Sequence, residues 1–153
     1  MVSTLTPPSA LNRIRTELIS IISDNRTAVD IIHTPELDFT ATSFVAPRTY
    51  QVPCYNITLE VQPETRGVPF VDMRANFNIF VSSTGAASAT EDDAKTMIVR
   101  DAIHTLLNKQ INLMRLQVRE MQRISDSPTI PRGNGLVAKM QLEFKALKRR
   151  GEY

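Results

Sequence analysis

The chain has 153 residues, 42% of them hydrophobic, which is enough for one core and too few for two comfortable domains. Its formal charge of +2 hides an asymmetry: residues 1–108 carry 8 Lys/Arg against 12 Asp/Glu, a net −4, and residues 109–153 carry 10 against 4, a net +6. No apolar run approaches the roughly 18 residues of a membrane-spanning helix, the start MVSTLTPPSALNR predicts no signal peptide, and the single Cys54 excludes an intrachain disulfide and a cysteine-rich metal knuckle.

Residues 1–8 are rich in Ser, Thr and Pro and are expected to be loose. Ser9 is a plausible cap for an amphipathic helix over 10–23, in which Leu11, Ile14, Leu18 and Ile21 or Ile22 recur at helical spacing and Asp24-Asn25 ends the run. Thr27–His33 is a short strand candidate, with Val29 and Ile31 on one face, and 37–45 is a second, less clearly patterned one. Tyr55, Ile57, Leu59 and Val61 alternate with Asn56, Thr58 and Glu60, which predicts a strand. Cys54 beside it is expected to be a small buried hydrophobe. Residues 63–69 read as a hairpin loop from their Pro and Gly content.

The clearest strand follows over 71–81. Val71, Met73, Ala75, Phe77, Ile79 and Val81 face one way, and Asp72, Arg74, Asn76 and Asn78 the other, a period of two that no helix sustains. Small polar residues over 82–89 suit a connection. Thr90-Glu-Asp-Asp93 then opens a helix over 91–108, whose apolar stripe is expected to run through Ala94, Met97, Ile98, Ala102 and Leu106 with Asp101 beside it. Residues 109–124 contain no Pro or Gly and could extend that helix, but Met114, Leu116 and Val118 alternate with Arg115, Gln117 and Arg119, and a strand over 113–124 is preferred. Residues 125–135 read as a long turn, and Leu136, Ala138, Met140, Leu142, Phe144 and Ala146 form a final alternating face. The fold class expected is α+β: one domain over 1–153, a mostly antiparallel mixed sheet covered on one face by two helices, with long loops at 34–54 and 125–135.

No catalytic, cofactor or metal site is expected. His33 and His104 are far apart and lack metalloprotease spacing, although Asp30 or Asp101 could join them in a pocket. There is no phosphate-binding glycine motif and no nucleophile elbow, and Glu91, Asp92 and Asp93 are explained by helix capping. Lys109, Arg115, Arg119 and Arg123 cluster in sequence. On a strand, Arg115, Gln117 and Arg119 would form a positive stripe, with Lys145 and the basic tail Lys148, Arg149 and Arg150 adding charge. Such patches bind phosphate backbones, but no aromatic stacking platform accompanies this one. A nucleic-acid-binding module is therefore an alternative, and a small enzyme a more distant one. With no active site to serve, the polar faces of the two cleanest strands are the candidate subunit contacts: Asp72, Arg74, Asn76 and Asn78 on one, Lys139, Gln141, Glu143 and Lys145 on the other, with Arg115 and Arg119 beside them.

The order of these segments resembles the tail terminator proteins of long-tailed bacteriophages and the related tail-completion and neck proteins. An N-terminal helix (10–23) precedes VPCYNITLEV (52–61) and VDMRANFNIFV (71–81); TEDDAKTMIVRDAIHTLL (90–107) follows, and LVAKMQLEFKA (136–146) closes the pattern. The resemblance implies a subunit of a hexameric ring at the head-proximal end of the tail. That ring would end tube polymerisation, dock the neck and pass DNA without reading its sequence. It implies tail-tube and neck or connector partners, a virion location after assembly in the host cytoplasm, no membrane, and no cofactor or catalysis. Arg115 and the 145–150 cluster are candidates for lining the hole or touching a neighbour. The alternative within this class is a head–tail connector or tail-tube subunit.

Overall fold

A computed structural model describes residues 10–35, 53–61, 70–82, 89–126, 130–132 and 135–147. Helix α1 (Ala10–Asp24) lies where its periodicity places it and buries Ala10, Ile14, Leu18, Ile21 and Ile22. Asn25 ends it: its side-chain amide donates to the Ile21 carbonyl at 2.7 Å, meeting an acceptor that the helix cannot satisfy internally. The expected strand over 27–33 shrinks to β1 (Ile32–His33), because the amides of Ala28 and Val29 turn back onto the Asn25 carbonyl at 2.9 and 3.0 Å. Val29 and Ile31 are nonetheless buried.

Strands β2 (Cys54–Val61) and β3 (Phe70–Ser82) form an antiparallel pair. Helix α2 (Ala89–Leu107) follows β3, and then the chain departs from expectation. Instead of a strand over 113–124 there is a second short helix, α3 (Gln110–Leu116), and only then β4 (Val118–Asp126). The α2–α3 junction is held by the buried Asn112, whose side chain donates to the Leu106 carbonyl at 2.7 Å. Gln117 ends α3 in the left-handed region, φ 57°, with its amide directed to the Leu113 and Met114 carbonyls. The expected long turn over 125–135 is shorter than read. It contains the end of β4 and a further strand, β5 (Ile130–Arg132), which pairs with β6 (Gly135–Leu147).

The result is an α+β fold with one six-stranded mixed sheet, ordered β1-β2-β3-β6-β4, with β5 also on β6. Among the described strands only β1 and β2 run parallel. The longest ladder joins β3 to β6 from Phe70↔Leu147 to Ser82↔Gly135. Helices pack on one face, over the core of Met73, Ala75, Phe77, Ile79, Met140, Leu142 and Phe144. Arg13 of α1 ties this layer to the sheet, donating to the Leu116 carbonyl at 3.2 Å and the Leu147 carbonyl at 2.7 Å. Helix α2 is turned relative to its expected stripe. Thr96, Arg100, Ile103, Leu106 and Leu107 are buried, whereas Met97 and Ile98 are 52% and 67% exposed. The readings of 1–8 as loose, Ser9 as a cap, 37–45 as a strand and 63–69 as a hairpin loop lie outside the described residues, as do the side chains of 90–93 and the basic tail.

Candidate functional site: the open polar face of the sheet

The face of the sheet opposite the helices is built by alternation. On β3 the even-numbered residues from Asp72 to Asn78 point away from the core, and pairing places a polar residue of β2 or β6 directly beside each. Asp72 stands opposite Lys145, Arg74 opposite Glu143, Asn76 opposite Gln141, and Asn78 opposite both Lys139 and Asn56. Cross-strand neighbours share a face, so eight of the predicted contact residues form one surface.

Most of them are satisfied within that surface. Lys145 donates to Asp72 at 3.1 Å and Arg74 to Glu143 at 3.1 Å. Gln141 donates to Asn76 at 2.7 Å, and Asn78 to Asn56 at 2.9 Å. These side chains are partly exposed, so each pair adds only about 0.2–1 kcal/mol to the sheet. Their larger effect is to fix the pattern of donors and acceptors across three strands. Glu60 and Lys139 are the exceptions: both are exposed, and neither has a hydrogen-bond or ion-pair partner among the described residues. They border a shallow groove of about 360 Å³ whose other walls include Thr58, Asn76, Asn78 and Gln141. Glu60 and Thr58 were not among the expected site residues. Their signal was present in the alternation of 55–61, whose polar members fall on the same face.

The face is closed at one end. Cys54, Phe80 and Val137 stand side by side across β2, β3 and β6 and are all buried, apart from the main core. Cys54 is thus the buried hydrophobe that the sequence leads one to expect. At the other end Arg119, opposite Lys145, lies 3.7 Å over the Phe70 ring, an arrangement that favours a cation.

The structure separates the two arginines expected to form a positive stripe. Arg119 joins the open face from β4. Arg115 belongs to α3 and bonds Glu17 at 2.8 Å and Asp24 at 3.0 Å, both on α1. Those bonds, Asp24 foremost, raise its pKa further above neutrality. Gln117, between them, is the helix cap. Since Arg115 is neutralised on the helical side, no continuous basic stripe forms from Arg115, Gln117 and Arg119.

The histidines occupy different surroundings. His33 is in ring contact with Tyr55 at 5.3 Å, beside a cavity of about 230 Å³ between α1 and the β1–β2 edge, and burial pushes the Tyr55 hydroxyl up. His104 lies on α2, within the field of Arg123 of β4 and of Asp101 and Asp126; burial first, then Arg123, lowers its pKa. Among the described residues no cluster of three or more His, Cys, Asp or Glu is placed to hold a metal ion, and no helix is long and apolar enough to cross a membrane.

Fold and site together define an α+β domain with one helix-covered sheet face and one open, polar, internally registered face. No protein-family model and no curated protein matches the chain.

Proposed function

We propose that this chain is a structural subunit that closes into a ring, of the kind that ends the tail tube of a long-tailed bacteriophage and gives the neck its docking surface. The observation that carries the reading is the open face: a sheet covered by helices on one side and set with registered polar side chains on the other gives the subunit, besides the surfaces that close a ring, a face suited to specific, wet contact with the next part of an assembly. The order of α1, β2, β3, α2, β4 and β6 accords with the organisation behind the resemblance. Four large apolar side chains exposed on the helices, Met97, Ile98, Ile111 and Met114, offer further surface for association. The role is mechanical and assigns the chain no catalytic step and no cofactor.

Electron microscopy and mass photometry of the purified protein are expected to show a closed ring, six subunits by the resemblance, that stops after one ring or two at most. Continuous tubes would reassign the chain to the tail tube. A protein that stays monomeric at high concentration and is never found in virions would overturn the proposal.

A further inference from the structure

We infer that the open face pairs with the same face of a second copy about a two-fold axis, with Glu60 of each copy meeting Lys139 of the other. The inference rests on reading this face as a subunit contact and specifies which contact it is.

Strand register sets the positions of the two charges. Glu60 stands beside Arg74, and Lys139 beside Asn78. Arg74 and Asn78 lie two residues to either side of Asn76 on β3, while Glu60 is one strand away in one direction and Lys139 one strand away in the other. Glu60 and Lys139, the two charges of this face without a partner among the described residues, are therefore symmetrically placed about Asn76. They are two strand spacings across and four residues along, or about 17 Å apart. A two-fold axis lying in the contact plane at Asn76, perpendicular to the line joining the two charges, carries each onto the other. Two copies laid face to face about that axis form two acid–base contacts with one self-complementary surface, as an isologous interface requires.

The rest of the face suits this arrangement. Asn76 and Gln141 lie near the axis, and amides both donate and accept, so they can meet their own symmetry copies. The charges nearest this centre other than Glu60 and Lys139, Arg74 and Glu143, already neutralise each other within one copy. The groove that Glu60 and Lys139 both border leaves room for the partner's side chains and for bridging water. Ring closure is a head-to-tail contact and uses other surfaces; the open face then joins a ring to a second one, or one free subunit to another.

The test is charge reversal with mixing. Self-association is measured by sedimentation equilibrium for the wild type, Glu60→Lys, Lys139→Glu, their equimolar mixture and the double variant, with circular dichroism confirming that each is folded. The wild type is expected to associate in multiples of two. Each single variant should weaken that association at least about tenfold, because it places like charges together. The mixture and the double variant should both recover it, because each restores opposite charges at both contacts. Glu60→Gln should weaken association less than Glu60→Lys, and added salt should narrow the differences. Single variants that associate as tightly as the wild type overturn this inference while leaving the ring reading intact. So does a mixture that does not recover, or a wild-type assembly with an odd total number of copies. A wild type that never self-associates overturns the two-fold contact; the ring reading is then decided separately by the presence or absence of the protein in virions.

Discussion

Gly135 shows how one missing side chain positions the site. It opens β6 opposite Ser82, and a Cβ there would fall 2.2 Å from the Val81 carbonyl oxygen and 2.6 Å from the Phe80 ring. Backbone on one side and a buried ring on the other leave nothing to yield cheaply. Gly135→Ala is expected to cost about 2 kcal/mol or more, read as a lower urea midpoint at unchanged slope. Gly135 falls at the end of the turn expected over 125–135, but the reason for glycine here is close approach. Gln117 is the converse case. Its left-handed backbone would ordinarily be signalled by Gly or Asn, and with glutamine in place the break between α3 and β4 leaves no mark in the sequence.

That hidden break explains the misread segment. Met114, Leu116 and Val118 alternate on paper, but Met114 is exposed on a helix, Leu116 is buried at its end and Val118 begins a strand. Alternation across a junction imitates a strand. Strands β3 and β6 could be read nearly to their ends because each keeps one apolar face in a single uninterrupted element. Their partnership also brought the expected contact residues together. Helix α2 was legible as a helix but not in its rotation. Its apolar residues encircle it, and packing selected Ile103, Leu106 and Leu107 over Met97 and Ile98, burying Thr96 and Arg100 alongside them. Truncation on the two sides should therefore differ. Ile103→Ala is expected to cost about 2–5 kcal/mol, whereas Ile98→Ala should change stability by no more than about 0.5 kcal/mol in the isolated subunit. Chemical denaturation of the two variants checks the rotation of α2 directly.

Helix α2 and strand β4 are also joined by charge, and this gives the molecule a pH dependence. Arg123 of β4 bonds both Asp101 and Asp126, and Arg100 lies 3.6 Å from Asp126. Burial alone would raise the Asp126 carboxyl, but its bonds to Arg123 and the nearby Arg100 outweigh it and hold the group below the usual range. His104 is held below its ordinary 6.5 by burial and by Arg123. Both groups bind protons more readily in the unfolded chain, so both make stability fall on acidification. For His104 the contribution is intact above 6.5 and is lost as pH falls through its lower folded value; for Asp126 the loss comes further down, below the ordinary 3.8. Urea midpoints should hold steady above neutrality and fall below pH 6.5. His104→Gln should flatten the first part of that fall and leave the second.

Strand order also constrains how the molecule is made. Strand β6 stands between β3 and β4, yet it follows every other described strand in the chain. During synthesis β2 and β3 can pair as a hairpin, and α2 and α3 can form, but the middle of the sheet stays vacant until residues 135–147 have left the ribosome. Completion of the sheet is therefore a late event, governed by slow closure between distant segments. Until it occurs, β3 presents an unpaired edge with Met73, Phe77 and Ile79 only partly covered. The nascent chain is most exposed to misassociation in that interval, and the arrival of β6 closes the edge and assembles the polar face in the same step.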